Sequence, residues 1–230
     1  RHTRYPLVTG VQTCALPIYC IIQAGLGGCF DLSMPLGTVV AVKRENIADQ
    51  SVMELQSLKT LFDLKLLPEE APPYKKGWLP NESALLKLFK GKKVTGISVN
   101  EITTDKKKVK LYADAFNPVV ESMEGAALHY VSRMENIPFI QLRAMSNYIA
   151  ERSKKKWNMK DSIQNLNDTL LKFLKTLNKY IDYLDDKSTQ LIVSCDNDDL
   201  SMNNEMIVTR ISEYKNVKIF YNDNSTKIQA

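Results

Sequence analysis

The sequence predicts an α/β domain, and three observations predict it. Apolar, strand-like runs recur at residues 19–23, 37–42, 94–99 and 138–144, each too short for a buried helix. Segments whose apolar residues recur at helical spacing alternate with them, at 52–67, 122–134 and 159–174. The run at 138–144 leads into Ser146 and Asn147, polar residues at the carboxyl end of a strand, where ligand sites of open α/β sheets lie. With 230 residues, 44% hydrophobic and 25% charged, the chain can bury a full core as one soluble domain with an appended piece.

Residues 1–18, above all Leu7-Val8-Thr9-Gly10-Val11-Gln12-Thr13-Cys14-Ala15-Leu16-Pro17-Ile18, resemble the translation of a sequencing-adapter read and are expected to form a non-native arm. The first strand then runs into Ala24-Gly25-Leu26-Gly27-Gly28-Cys29. That run predicts a glycine turn, in which the missing Cβ atoms let a ligand approach the backbone. The strand at 37–42 is followed by a loop carrying Glu45 and Asp49, either surface charges or neighbours of a site. Residues 52–67 predict a helix ended by Pro68 and the Pro72-Pro73 pair. Gly91-Lys92-Lys93 leads into the strand at 94–99. On the helix at 122–134, Met123, Ala126, Ala127, Tyr130 and Val131 are able to face a core, and His129 reads as a packing residue. The strand at 138–144 follows, and the helix at 159–174 closes the domain.

Net charge is +5, which permits an anionic partner. The Lys triplets at 106–108 and 154–156 carry no interleaved aromatics, however, and read as solvated faces rather than a nucleic-acid surface. Cys14, Cys20, Cys29 and Cys195 form no CxxC pair, and the histidines are His2 and His129. No metal site, disulfide framework or cofactor motif is indicated, and a reducing cytoplasm is the expected compartment. No apolar run approaches the about 18 residues of a membrane span, and the N-terminal run is interrupted by Pro6, Gly10, Gln12 and Pro17.

Two motifs stand in one register: Val-Glu-Ser-Met-Glu-Gly-Ala-Ala at 120–127 and Gln-Leu-Arg-Ala-Met-Ser-Asn-Tyr-Ile at 141–149. Together they resemble the nucleoside phosphorylase and nucleosidase superfamily. The continuation through 151–160 and 163–167 is most similar to its futalosine hydrolase branch, whose members remove hypoxanthine from futalosine in a route to menaquinone. The resemblance implies a nucleoside phosphorylase-like mixed-sheet sandwich, a small nucleoside substrate, no cofactor, no nucleic acid or membrane partner, and homo-oligomeric relatives. It also implies roles. Glu124 would hold the ribose hydroxyls, accepting charge-assisted hydrogen bonds that favour a developing oxocarbenium, although a glutamate at a helix start also complements the helix dipole. Met123 would pack on the ribose or simply fill core. Gly25, Leu26, Gly27, Gly28 and Ser146 would line the substrate.

Asn147 would hold the departing base, with a loop-capping turn residue as the plain alternative. Adenine-releasing relatives carry an aspartate there. An amide can donate to N7 or O6 of a 6-oxopurine but delivers no proton, which suits hypoxanthine. Arg143 is the nearest basic residue together with Arg152, and Arg152 or a neighbouring Lys would meet the substrate's benzoate. The family's water-activating carboxylate precedes the part aligned with Tyr19, so the resemblance implies a domain at 19–174 that is incomplete, lacking its first strands, and has little activity by itself.

Residues 172–184, 190–199 and 216–224 resemble the beginning of a nucleotide-sugar glycosyltransferase, with Asp196, Asp198 and Asp199 in an acidic strand end. The expected organisation is therefore 1–18 arm, 19–174 nucleosidase domain and 175–230 short α/β fragment, joined as a chimera between 167 and 175. The competing readings are a phosphorylase of the same fold, a glycosyltransferase represented by 175–230, and a non-catalytic binding protein.

Overall fold

The computed structural model describes residues 20–54, 57–183, 191–196 and 217–222. The arm at 1–18, Asp198 and Asp199 lie outside the described residues. In chain order the elements are β1 (Cys20–Cys29), β2 (Val39–Glu45), β3 (Ser51–Glu54), β4 (Ser57–Thr60), β5 (Leu79–Pro80), α1 (Ala84–Leu88), β6 (Lys93–Ser98), α2 (Lys106–Phe116) and β7 (Val120–Ser122). They continue with α3 (Gly125–Met134), β8 (Phe139–Tyr148), a 3-10 turn (Lys154–Lys156), α4 (Met159–Tyr183), β9 (Leu191–Asp196) and β10 (Val217–Asn222). This is the expected mixed α/β architecture.

The sheet closes on itself. β1 pairs with β8 in parallel, β8 with β2 antiparallel, β2 with β6 and β6 with β7 in parallel, and β7 returns antiparallel to β1. Each strand of this ring sends side chains alternately to its inner and outer surface. The interior at one end is apolar, with Cys29, Val40, Val42, Val94, Val120 and Met145 in one buried cluster drawn from all five strands. Outside the ring, Ile22 and Ala24 of β1 and Ile140, Leu142 and Ala144 of β8 meet Leu166, Leu170, Phe173, Leu174 and Leu177 of α4. Each of these large side chains contributes about 1.5–3 kcal/mol of burial. α4 runs unbroken through residues 167–175 to Tyr183, beyond the end expected at 174. β9 adds in parallel to the outer edge of β1, and β10 to β9.

Several expectations need correction. The glycines after residue 24 do not form a turn, because β1 continues to Cys29. Glycine is required there by close neighbours: a Cβ on Gly27 would lie 2.5 Å from Val120 Cγ2, and one on Gly28 would overlap Ile149 Cδ1. Residues 52–67 are not a helix. β3 and β4 form a hairpin, after which the Asp63 carboxylate accepts from the Thr60 amide and hydroxyl, each at 2.8 Å, and fixes a turn. Leu58 packs on the cluster of Tyr112 and Phe116, whereas Val52 and Met53 are exposed.

Of the α3 residues expected to face the core only Ala126 does so, and the buried face is completed by Gly125, His129 and Ser132. Ala127, Tyr130 and Val131 point outward. The inner surface that α3 covers is itself polar, so apolar character is a poor guide to its buried side. His129 is fully buried, donates from Nδ1 to the Leu79 carbonyl at 2.7 Å and packs edge-on against Phe139, as a packing residue should. Finally, Glu45 is the last residue of β2 and fully buried, not a surface charge of a loop. Against β6, Val42 pairs with Val94 and Arg44 with Thr95. This β-bulge inserts one residue and turns Glu45 to the side that Val42 faces.

Candidate functional site

Alternation along β8 places Ile140, Leu142 and Ala144 against α4, and so sends Gln141 and Arg143 to the opposite, inner surface. On β1 the same rule turns Gln23 inward. A polar group at each of these positions has to find a partner, because all three are buried. Arg143 meets this need with a fork of donors: Nη1 reaches the Leu26 carbonyl at 3.2 Å, and Nη2 reaches Gln23 Oε1 at 2.9 Å and Glu124 Oε2 at 3.1 Å. The guanidinium is 1% exposed and the Glu124 side chain 38%, so the carboxylate is anchored from below and open above. Glu124 stands at the N-cap position of α3 but makes no side-chain capping bond. Its carboxylate is turned to Arg143 rather than to the helix it precedes.

The second motif ends beside the same segment of β1. Gly28 pairs with Asn147 of β8 on one side and with Glu121 of β7 on the other. Between Gly27 and Gly28 the β1–β8 register slips by one, leaving Ser146 as the extra residue of a bulge. The Ser146 hydroxyl donates to Asn147 Oδ1 at 2.9 Å, and Asn147 Nδ2 donates to the Tyr148 carbonyl at 3.1 Å. One amide N–H of the half-buried Asn147 is thereby left for another acceptor. α4 is pinned to this strand end, because Asn158 N donates to the Ser146 carbonyl and Ser162 Oγ to the Met145 carbonyl, each at 2.8 Å. Met123 is 49% exposed next to Glu124. The glycine segment, Met123-Glu124 and Ser146-Asn147 are therefore carried by three adjoining strands.

Below Glu124 lies a buried polar group that the motifs do not announce. Glu45 Oε1 accepts from Gln141 Nε2 at 3.0 Å, and its Oε2 faces the Ser98 hydroxyl at 3.4 Å. Burial pushes its carboxyl up to about 8, against the opposing pull of Gln141 and Arg143. Burial pushes His129 the other way, down to about 4, so at neutral pH both groups are uncharged. Glu121, also buried, accepts from Thr103 N at 3.1 Å, and burial raises its carboxyl as well. The alternation of apolar and polar residues in Ile140-Gln141-Leu142-Arg143 was the available signal for Gln141. No comparable pattern marks Glu45 or Ser98.

The remaining candidates stand apart from this cluster. Asp49 accepts from Asn100 N at 2.6 Å and Asn100 Nδ2 at 3.1 Å. Arg152 is exposed beside Glu151, which pairs with Lys156 at 2.8 Å. A cleft of about 450 Å³ between α4 and residues 88–91, lined by Phe89, Lys90, Asn165 and Lys172 among others, contains none of the candidate residues. Among the described residues no group of three or more His, Cys, Asp or Glu is placed to hold a metal ion. None of the described helices is long and apolar enough to cross a membrane.

A protein family described as the phosphorylase superfamily matches residues 12–182. No curated protein matches the chain. Among solved structures, futalosine hydrolase of Helicobacter pylori is similar at 19% identity, with a TM-score of 0.51 over 70% of this chain and 68% of that one. S-adenosylhomocysteine nucleosidase from Streptococcus pyogenes, in complex with 5-methylthiotubericidin, is similar at 18% identity with a TM-score of 0.55 over 69% and 68%. A 5′-methylthioadenosine/S-adenosylhomocysteine nucleosidase from Colwellia psychrerythraea, in complex with adenine, gives 17% and 0.55 over 69% and 67%. At these identities the likeness is one of fold.

Proposed function

The chain belongs to the phosphorylase superfamily, and within it we propose that it derives from a purine nucleosidase of the futalosine type, which cleaves the N-ribosidic bond to release hypoxanthine. The observation that carries this reading is an anchored, half-open carboxylate just after β7 together with an amide at the end of β8, the two strands flanking the glycine segment of β1. Glu124, held by Arg143 at 3.1 Å, accepts from the 2′ and 3′ hydroxyls. As the bond to the base lengthens, its charge stabilises the developing oxocarbenium. Leu26 and the glycines beside it give the nucleoside a flat backbone surface, and Met123 lies against the ribose.

Asn147 discriminates the base. Its Oδ1 is taken by Ser146 and one N–H by the Tyr148 carbonyl, which leaves the second N–H to donate to N7 or O6 of hypoxanthine. Adenine offers the same N7 but an amine at position 6, so with the N–H directed at position 6 a donor facing that donor costs about 1–3 kcal/mol, or about 5- to 150-fold in affinity. Arg152, exposed at the rim, or a lysine of the adjoining triplet, meets the carboxylate of the benzoate. Calorimetric titration of the chain with inosine, futalosine and adenosine tests the reading. Inosine and futalosine should bind at least about tenfold more tightly than adenosine. Equal affinities, or preference for adenosine, would remove the role given to Asn147.

A further inference from the structure

We propose that Glu45 is a positioning residue for Glu124, and that its carboxyl sets where the ribose-holding carboxylate stands. This rests on the nucleosidase reading above. The buried carboxyl is in an unexpected place: it has no exposed surface, and a hydrocarbon side chain of the same volume would fill the space without the cost of desolvating a polar group. Two elements are nonetheless shaped around it. A Cβ on Gly96 of β6 would lie 2.6 Å from Glu45 Oε1, and a Cβ on Gly125, the first residue of α3, would overlap that same oxygen.

The carboxyl also ties together the two supports of Glu124. On one side the Ser98 hydroxyl faces Glu45 Oε2 at 3.4 Å and accepts from the Ala126 amide at 2.7 Å, within the first turn of α3. On the other, Gln141 donates to Glu45 Oε1 at 3.0 Å and lies two residues before Arg143 on the same side of β8. Arg143 in turn holds the Glu124 carboxylate at 3.1 Å. Because Glu124 makes no capping bond to its own helix, its direction depends on where α3 begins and where Arg143 stands. Glu45 touches the support of both. Removing its carboxyl frees the α3 start and Gln141 together, and Glu124 loses its register with the ribose while the base-holding end at Asn147 is untouched.

The test compares equilibrium binding of inosine and 2′,3′-dideoxyinosine to the full chain, because their ratio reads recognition of the hydroxyls alone, with free hypoxanthine as the control for the base. The unaltered protein should favour inosine by about tenfold or more, and Glu124→Gln should bring the ratio close to one. Glu45→Ala and Ser98→Ala should each lower the ratio about three- to tenfold and leave hypoxanthine affinity unchanged, while Glu45→Gln, which keeps the shape and the bond to Gln141, should restore most of what Glu45→Ala loses. If Glu45→Ala does not fold, Ser98→Ala decides. A ratio that survives in the Ser98 and Glu45 variants but is lost in Glu124→Gln overturns the positioning role and leaves the nucleosidase reading intact. No preference in the unaltered protein overturns both.

Discussion

Arg143 is the residue on which the interior depends most. It is buried, and the Leu26 carbonyl, Gln23 and Glu124 are among the acceptors around its guanidinium, so Arg143→Ala strands Gln23 and Glu124 rather than removing one contact. The expected loss is about 3–5 kcal/mol, to be read as a lowered urea midpoint. At the strand end, Asn147→Asp introduces a group that can donate a proton and accept from an exocyclic amine. It should move the kcat/KM ratio of an active form toward adenosine over inosine, by up to about 100-fold; an unmoved ratio would detach Asn147 from base choice. Glu124, Asn147, Met123 and Ser146 were all named as candidates from the sequence, because two short motifs carry them at a spacing of one helix and one strand. Glu45 was not legible. Which way it faces depends on the bulge between Val42 and Arg44, and a bulge is a property of strand pairing that no residue in β2 declares.

Among elements, the two helices that bracket the sheet respond differently to substitution. α3 approaches its strands through Gly125, where an added methyl meets the Glu45 carboxyl and the Gln141 amide. Gly125→Ala should therefore destabilise by about 1–3 kcal/mol through overpacking, although alanine at an exposed helical position would do the reverse. α4 is held by large apolar side chains, and Leu174→Ala should cost about 2–5 kcal/mol. Thermal melts of the two variants check both values. The apolar face of α4 was legible from its spacing, as were the strands at 37–42 and 94–99. The β3–β4 hairpin was missed because its leucines recur at a helical interval by coincidence, and the deciding signal was the Thr60–Asp63 turn. Apart from Ala126, the buried face of α3 was missed because it packs small and polar residues onto a polar interior.

Across the whole molecule, two of the buried titratable groups, Glu45 and His129, shape stability against pH in opposite directions. Burial pushes the folded Glu45 carboxyl up to about 8 from an ordinary 4.5, so its contribution to stability falls as pH rises from about 5 to about 8. Folded His129 titrates near 4 instead of 6.5, so its contribution rises with pH over that lower interval and offsets Glu45 there. Above pH 6.5 His129 no longer offsets Glu45, and the Glu45 contribution should drop by about 1–2 kcal/mol on the way to pH 8. Urea midpoints at the two pH values measure the drop, and Glu45→Gln should abolish it. An α/β domain could be inferred from the order of runs, but closure of the strands into a ring could not, since nothing local states that β8 lies between β1 and β2. That insertion has a consequence during synthesis. The ribosome delivers β1 and β2 early and β8 late, so β1 presents an open edge while residues 30–148 are translated and β2 joins it from residue 46 onward. At about 5–20 residues per second this lasts about 6–24 seconds. Slowing translation within that stretch lengthens the exposure, and soluble yield from a rare-codon version should fall unless a chaperone shields the nascent edges.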